Sequence, residues 1–274
     1  MQSLPFIVST DQKVEYISLL LKAGFDTVEI GSMASPKFVP QMADTTEVLR
    51  KLDLKGKRSK VMVLVMNRRG AEETASMEAV DCISYPWSIS PVFLKKNLNA
   101  TSEQSLEDVK TIVNLCNLSG KTPVIYISMA FGNPYGDLWS LDLLMRHIGL
   151  LAETGVKVIP LSNVSVPVEE KMIAEVFAAV QANFPSIESG LHLHTDGLNT
   201  DRMIEAAAQH GCQRFDTVIH GIGGCPMSGG KMLGNLDTAD LLSWLEKNNI
   251  ESSIDKDVFV RAGALAEKIF AHGA

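Results

Sequence analysis

One rhythm constrains this chain more than any other feature: a short apolar run, a polar loop and a segment of helical period, repeated almost from end to end. Apolar runs at 27–30, 61–65, 80–84, 124–129, 156–161, 190–194 and 215–219 read as strands. Helix-period segments fall at 102–118, 139–153, 169–182, 200–210, 238–247 and 256–271. An earlier helix opens on a capping box, Ser9 with Gln12, carries Val14, Ile17 and Leu21 on one face, and stops at Gly24. The polar, basic stretch 93–99 reads as a solvated loop whose lysines could attract an anionic ligand. Alternation of this kind implies parallel strands joined by helical crossovers. Seven strands behind an opening helix leave two architectures. One is an open doubly wound sheet; the other is a (β/α)8 barrel whose first strand is missing or incomplete at the N-terminus.

Composition narrows the class. With 274 residues, no linker-like stretch and no repeat, 1–274 reads as a single domain large enough to bury its core without staples. Hydrophobic residues make up 46% and charged residues 21%, which excludes wholesale disorder. A net charge of −7 argues against nucleic acid as a partner. No apolar run approaches the roughly 18 residues of a membrane span, and the first residues lack the pattern of a secretory signal. Four widely spaced cysteines fit a reducing compartment, so the expected location is cytoplasmic.

Candidate chemistry gathers at strand ends. Leu191-His192-Leu193-His194 puts two imidazoles at i and i+2 of an apolar strand, on one face, in a chelating arrangement. Two histidines hydrogen-bonded on a half-buried strand would show the same spacing. Gly221-Ile222-Gly223-Gly224-Cys225-Pro226 follows the last strand, and its glycines let a loop approach a ligand closely. Cys225 has no core to occupy there, whereas Cys82, Cys116 and Cys212 read as small buried hydrophobes. Downstream, Gly234-Asn235 can return an amide oxygen to the same place. Two imidazoles and an amide oxygen, completed by a carboxylate and water, suit Mg²⁺ or Mn²⁺, whereas structural zinc would want more thiolates. Glu29 stands near a strand end, where a carboxylate needs a partner or reaches solvent. The segment from Ser128 to Asp137 reads as a strand end with turn chemistry.

These residues resemble the 3-hydroxy-3-methylglutaryl-CoA lyase family. The likeness rests on Glu29 with Ser32, on Ser35-Pro36-Lys37-Phe38-Val39-Pro40-Gln41-Met42-Ala43-Asp44, on Lys95-Lys96-Asn97, on His192-Leu193-His194, on the Gly-Gly-Cys-Pro loop and on Gly234-Asn235, in order over nearly the whole chain. The resemblance implies a metal-dependent TIM barrel that cleaves 3-hydroxy-3-methylglutaryl-CoA to acetyl-CoA and acetoacetate. By the same resemblance His192, His194 and Asn235 would ligate a divalent cation, Mg²⁺ or Mn²⁺. Cys225, His192 and Glu29 would be catalytic. Cys225 would move a proton from a closing loop, and Glu29 would orient an arginine of the first strand. Ser32, Asn67, Asn97 and Asn163 would lie on the substrate side, and the assembly would be a homo-oligomer, a dimer. The sequence departs from the family in four places. The first-strand Arg-Asp pair falls just before Met1, Asn163 stands where an Asp is usual, Pro5 replaces a common Lys, and Thr195-Asp196 replaces the usual Asp-Thr after the second histidine. The alternatives are a catalytically silent paralogue that binds ligand on the same barrel, and a related lyase or synthase acting on another acyl-CoA.

Overall fold

A computed structural model describes residues 1, 4–164, 166–224 and 233–271. The chain opens with α1 (Thr10–Ala23), β1 (Thr27–Ser32), α2 (Thr45–Lys51), β2 (Lys60–Leu64), α3 (Arg68–Ala75) and β3 (Cys82–Ser88). There follow α4 (Pro91–Leu98), α5 (Ser102–Ser119), β4 (Thr122–Ser128), α6 (Leu141–Glu153), β5 (Val158–Ser162) and α7 (Glu170–Asn183). The last part comprises β6 (Glu188–His192), β7 (His194–Thr195), α8 (Thr200–Gln209), β8 (Arg214–Asp216), β9 (Gly234–Asn235), α9 (Thr238–Lys247) and α10 (Lys256–Ala271). The contacts divide these elements into two compact units. One holds Met1–Ser84, Leu115–Thr122 and Glu251–Ala274; the other holds Tyr85–Asn114 and Pro123–Ile250.

In the first unit β1, β2 and the start of β3 pair in parallel, with Val28 against Val61 and Val63 against Ile83. Ile17 and Leu21 of α1 pack with Val28, Ile30, Val48, Leu49, Val61 and Val63 into one apolar cluster. Each such side chain contributes about 1.5–3 kcal/mol by leaving water. The capping box is present as read: Ser9 Oγ accepts from the Gln12 N–H at 3.3 Å, and Gln12 Oε1 accepts from the Ser9 N–H at 3.2 Å. At the other end of α1, Gly24 has φ +95°, and a Cβ there would lie 2.5 Å from the Ser253 carbonyl oxygen, so no other residue fits.

A buried polar knot also lies in this unit. Lys13 on α1 is almost fully buried and donates Nζ to the Gln41 carbonyl at 2.5 Å and to Asp44 Oδ1 at 2.7 Å. Thr10 Oγ1 donates to Asp44 Oδ2 at 2.8 Å, and Gln41 Oε1 accepts the Val8 N–H at 3.0 Å while its Nε2 donates to the Phe6 carbonyl at 3.1 Å. Partial burial alone would raise the Asp44 carboxyl, but the hydrogen bonds from Lys13 and Thr10 outweigh it and hold it below its ordinary value.

In the second unit the strand order is β3-β4-β5-β6-β8, with parallel ladders from β4 to β5, β5 to β6 and β6 to β8. All five residues of β5 are buried, as a parallel strand covered on both faces requires. A separate antiparallel pair, β7 with β9, sets His194 opposite Asn235.

Helices 238–247 and 256–271 match the sequence expectation at both ends; other elements differ for identifiable reasons. The stretch 93–99 is mostly helix, not a solvated loop. Ser90 caps α4 by accepting the Phe93 N–H at 3.0 Å, Pro91 opens it, and Phe93 and Leu94 face inward with 1% and 0% exposure. The turn at 129–137 completes that cap: Asp137 Oδ2 accepts from Ser90 Oγ at 2.5 Å and from the Val92 N–H at 3.2 Å. The run 190–194 is interrupted at Leu193, whose carbonyl accepts from the Leu236 N–H at 2.9 Å. The run 215–219 keeps strand geometry only through Asp216 and then passes into a short 3-10 turn, Ile219–Gly221.

Candidate functional site

The break at Leu193 builds the site. His192 ends β6 in the parallel ladder, opposite Ser162 and Asp216 on its two neighbours. His194 begins a different ladder, opposite Asn235. The two rings nevertheless stay together, with centroids 5.1 Å apart. So the i, i+2 pair does share a face, and Asn235 is brought to it by β9 rather than by the glycine loop alone.

Asn163, fully buried, fastens the corner where the two ladders part. Its Oδ1 accepts the His194 N–H at 2.8 Å, and its Nδ2 donates to the His194 and Val166 carbonyls, both at 2.8 Å. The amide therefore grips the backbone of His194 from both sides. This use requires an amide, because a carboxylate could accept but not donate.

The other flank of His192 carries three residues that no motif singles out: Tyr126, Arg214 and Asp216. Asp216 Oδ2 lies 3.2 Å from His192 Nδ1, and Arg214 Nε donates to Asp216 Oδ1 at 3.2 Å. Tyr126 hydrogen-bonds the same carboxylate and meets the His192 ring edge-on at 5.5 Å. Burial alone would raise the Asp216 carboxyl, yet its hydrogen bond to His192 and the charge of Arg214 hold it below its ordinary value. Burial likewise disfavours the Arg214 cation, but the carboxylates of Asp216 and Glu188 keep it firmly protonated. The available signal was the period of two on the last strand, which puts Arg214 and Asp216 on one face.

His194 is the counterpart. Its side chain is 6% exposed, and Nδ1 is buried without a hydrogen-bond partner among the described residues. Burial, and next the nearby His192, lower its pKa to about 3, so the ring is neutral. A neutral imidazole with a bare buried nitrogen has a lone pair available for a Lewis acid. Asn235 Nδ2 donates to the Ile222 carbonyl at 3.2 Å, which commits the amide nitrogen and leaves its oxygen for another partner. His192 has Nδ1 directed at Asp216, the arrangement that orients a ligating histidine. These three donors fit a divalent cation, although among the described residues no three His, Cys, Asp or Glu side chains converge.

The remaining candidates are placed as follows. Glu29 lies inside β1 rather than at its end, and Ser84 Oγ donates to its Oε2 at 2.7 Å. Ser32 is buried and its Oγ accepts the Ala34 N–H at 3.0 Å. Asn67 caps α3 by accepting the Gly70 N–H at 3.0 Å. Asn97 is half-buried on α4. Cys225 lies outside the described residues. Cys82, Cys116 and Cys212 are buried, and burial pushes the Cys116 and Cys212 thiols up to about 12. No described helix is long and apolar enough to cross a membrane.

The HMGL-like family model matches residues 1–265. The hydroxymethylglutaryl-CoA lyase of Bacillus subtilis (strain 168) is 28% identical over 269 residues, covering 98% of this chain and 89% of that protein. The mitochondrial hydroxymethylglutaryl-CoA lyase of Homo sapiens is 29% identical over 257 residues, covering 94% of this chain and 78% of that protein. The crystal structure of the Bacillus subtilis HMG-CoA lyase superposes with a TM-score of 0.91 at 27% identity, covering 98% of this chain and 90% of that one.

Proposed function

The chain belongs to the HMGL-like family, and from that premise we propose that it is a carbon-carbon lyase cleaving 3-hydroxy-3-methylglutaryl-CoA to acetyl-CoA and acetoacetate. The observation that supports this reading best is the bare, buried Nδ1 of His194 beside an imidazole already oriented by a carboxylate. His192, His194 and Asn235 would hold a divalent cation, Mg²⁺ or Mn²⁺. Bound there, the cation would supply Lewis acidity that makes the substrate's tertiary hydroxyl easier to deprotonate.

The chain's own residues do the rest. Asp216 fixes the His192 ring, and Asn163 fixes the backbone from which His194 projects. Cys225 is assigned the proton transfer to or from the departing acetyl-CoA carbon, and Glu29 the orientation of a cationic group at the substrate. Ser32 and Asn97 are assigned to the acyl-CoA substrate. Asn67 and Asn163 support it through the turns they hold, since their amides already serve backbone groups. We place all of 1–274 in one lyase domain of eight-stranded barrel plan. The lyase is taken to be cytoplasmic and dimeric.

The test is acetoacetate release by the purified chain from 3-hydroxy-3-methylglutaryl-CoA with Mn²⁺ or Mg²⁺, with and without an added upstream strand ending in Arg-Asp. Release that disappears in His192→Ala and His194→Ala supports the reading; no release from either form overturns it. A second reading, a barrel that binds an acyl-CoA without turnover, is favoured by one observation. The described site offers two imidazoles and an amide but no carboxylate in a ligating position. Acyl-CoA binding without release would select it.

A further inference from the structure

On β8 the side chains of Arg214 and Asp216 point to one face, and the register sets Arg214 opposite Gly190 and Asp216 opposite His192. The arginine stem lies directly across the bare α-carbon of Gly190. A Cβ there would come within 3.0 Å of Arg214 Cγ and Cδ and 3.1 Å of Cβ, tighter than most side-chain contacts, so the stem would have to give way. The stem therefore turns its guanidinium along the sheet, where Nε meets Asp216 Oδ1 at 3.2 Å and Nη1 lies 3.6 Å from Glu188 Oε1. Both charged side chains are largely buried, 14% and 17% exposed, a costly arrangement unless each satisfies the other.

We propose that Arg214 is a positioning residue for His192, seated by Gly190, which fixes Asp216 so that the histidine presents only its Nε2. The steps are geometric. With Oδ1 held by Arg214, the carboxylate cannot rotate, and Oδ2 is the atom left facing His192. An ionised carboxylate only accepts, so His192 must carry its proton on Nδ1. Nε2 then keeps the lone pair and faces away from Asp216. The arginine thus selects the tautomer of a histidine two residues along β6 from its own register partner, without touching substrate or cation.

This rests on the reading of His192 as a ligand, and the experiment separates the two. The tautomer of His192 is read in the metal-free full chain by long-range ¹H–¹⁵N correlation, and Mn²⁺ binding is read by calorimetry on the same samples. Wild type is expected to show Nδ1–H alone. In Arg214→Met both tautomers should appear and the Mn²⁺ dissociation constant should rise roughly tenfold or more. Gly190→Ala should reproduce both effects by displacing the stem, and it carries the comparison if Arg214→Met does not fold. Arg214→Lys, which keeps the charge but not the fork, should recover only part of the affinity. Glu188→Gln should change neither readout. If Arg214→Met and Gly190→Ala keep pure Nδ1–H and wild-type Mn²⁺ affinity while melting earlier, Arg214 is only a structural ion pair and the proposal fails. If the tautomer depends on Arg214 but wild type binds no Mn²⁺, the positioning stands and the ligand reading falls.

Discussion

Two buried polar knots among the described residues, one in each unit, are finished differently. Around Lys13, Gln41 and Asp44 the central donors and acceptors meet partners within the protein, and the knot ties the start of α1 to the turn before α2. Around His192 and His194 the same care extends to Asn163, Arg214 and Asp216, but among the described residues it leaves one fully buried atom of the knot without a partner, the Nδ1 of His194. Burying a polar atom without a partner costs about 1–3 kcal/mol. A closed knot adds rigidity; an open one adds rigidity everywhere except at the atom left for something else. The difference teaches where to look for chemistry, since burial, hydrogen bonding and charge pairing are common to both.

The contrast can be broken in four ways. Asn163→Asp should have the largest effect. It removes both donors to carbonyl oxygens and sets a buried carboxylate against them, a loss of about 3–4 kcal/mol in denaturant unfolding. The family resemblance alone would have cast this change as a repair, so a stable, active Asn163→Asp would overturn the clamp. Lys13→Met should cost about 3 kcal/mol, because it strands Asp44 and the Gln41 carbonyl, yet leave Mn²⁺ affinity untouched. His194→Leu should do the reverse: unfolding free energy unchanged or raised by about 1 kcal/mol, with Mn²⁺ binding abolished. A His194→Leu protein that is strongly destabilised would mean the nitrogen is not bare.

The smallest effect concerns pH. Because Asp44 has its folded pKa lowered, its contribution is fully present above the ordinary carboxylate value near 4 and is lost as pH falls through the lower folded value. Asp44→Asn should therefore be less stable than wild type at neutral pH, by within about 1 kcal/mol, with the gap closing below about pH 4. A gap that stays constant down to pH 2 would show that packing, not charge, holds that corner.

How much of this was legible in the sequence follows the range of the interactions. The strand-helix rhythm is written in apolar periodicity, so α9 and α10 could be bounded in advance. The His192–His194 pair and Asn235 carry side chains whose chemistry is conspicuous, and the site does gather them. By contrast, α4 is held by a carboxylate from 47 residues away, since Asp137 completes the Ser90 cap, and no local pattern announces that. The break at Leu193 depends on Leu236 and Asn163. Arg214 and Asp216 look like ordinary polar residues of a short strand until the register sets them against Gly190 and His192. What was missed is what only a ladder can bring together.

The order of those ladders has a consequence for how the molecule is made. In the larger sheet of the second unit Val124 pairs with Val158, Val158 with Glu188, and Gly190 with Arg214, so each of these parallel ladders joins segments close to one another in the chain. Every closure spans a modest loop, whose entropic cost grows only slowly with length. On the ribosome, each strand can find its neighbour before the next has emerged, and a late strand has one docking edge. The histidine strand can dock on β5 before β8 is available to it, and β9, which brings Asn235 to His194, completes the site later still.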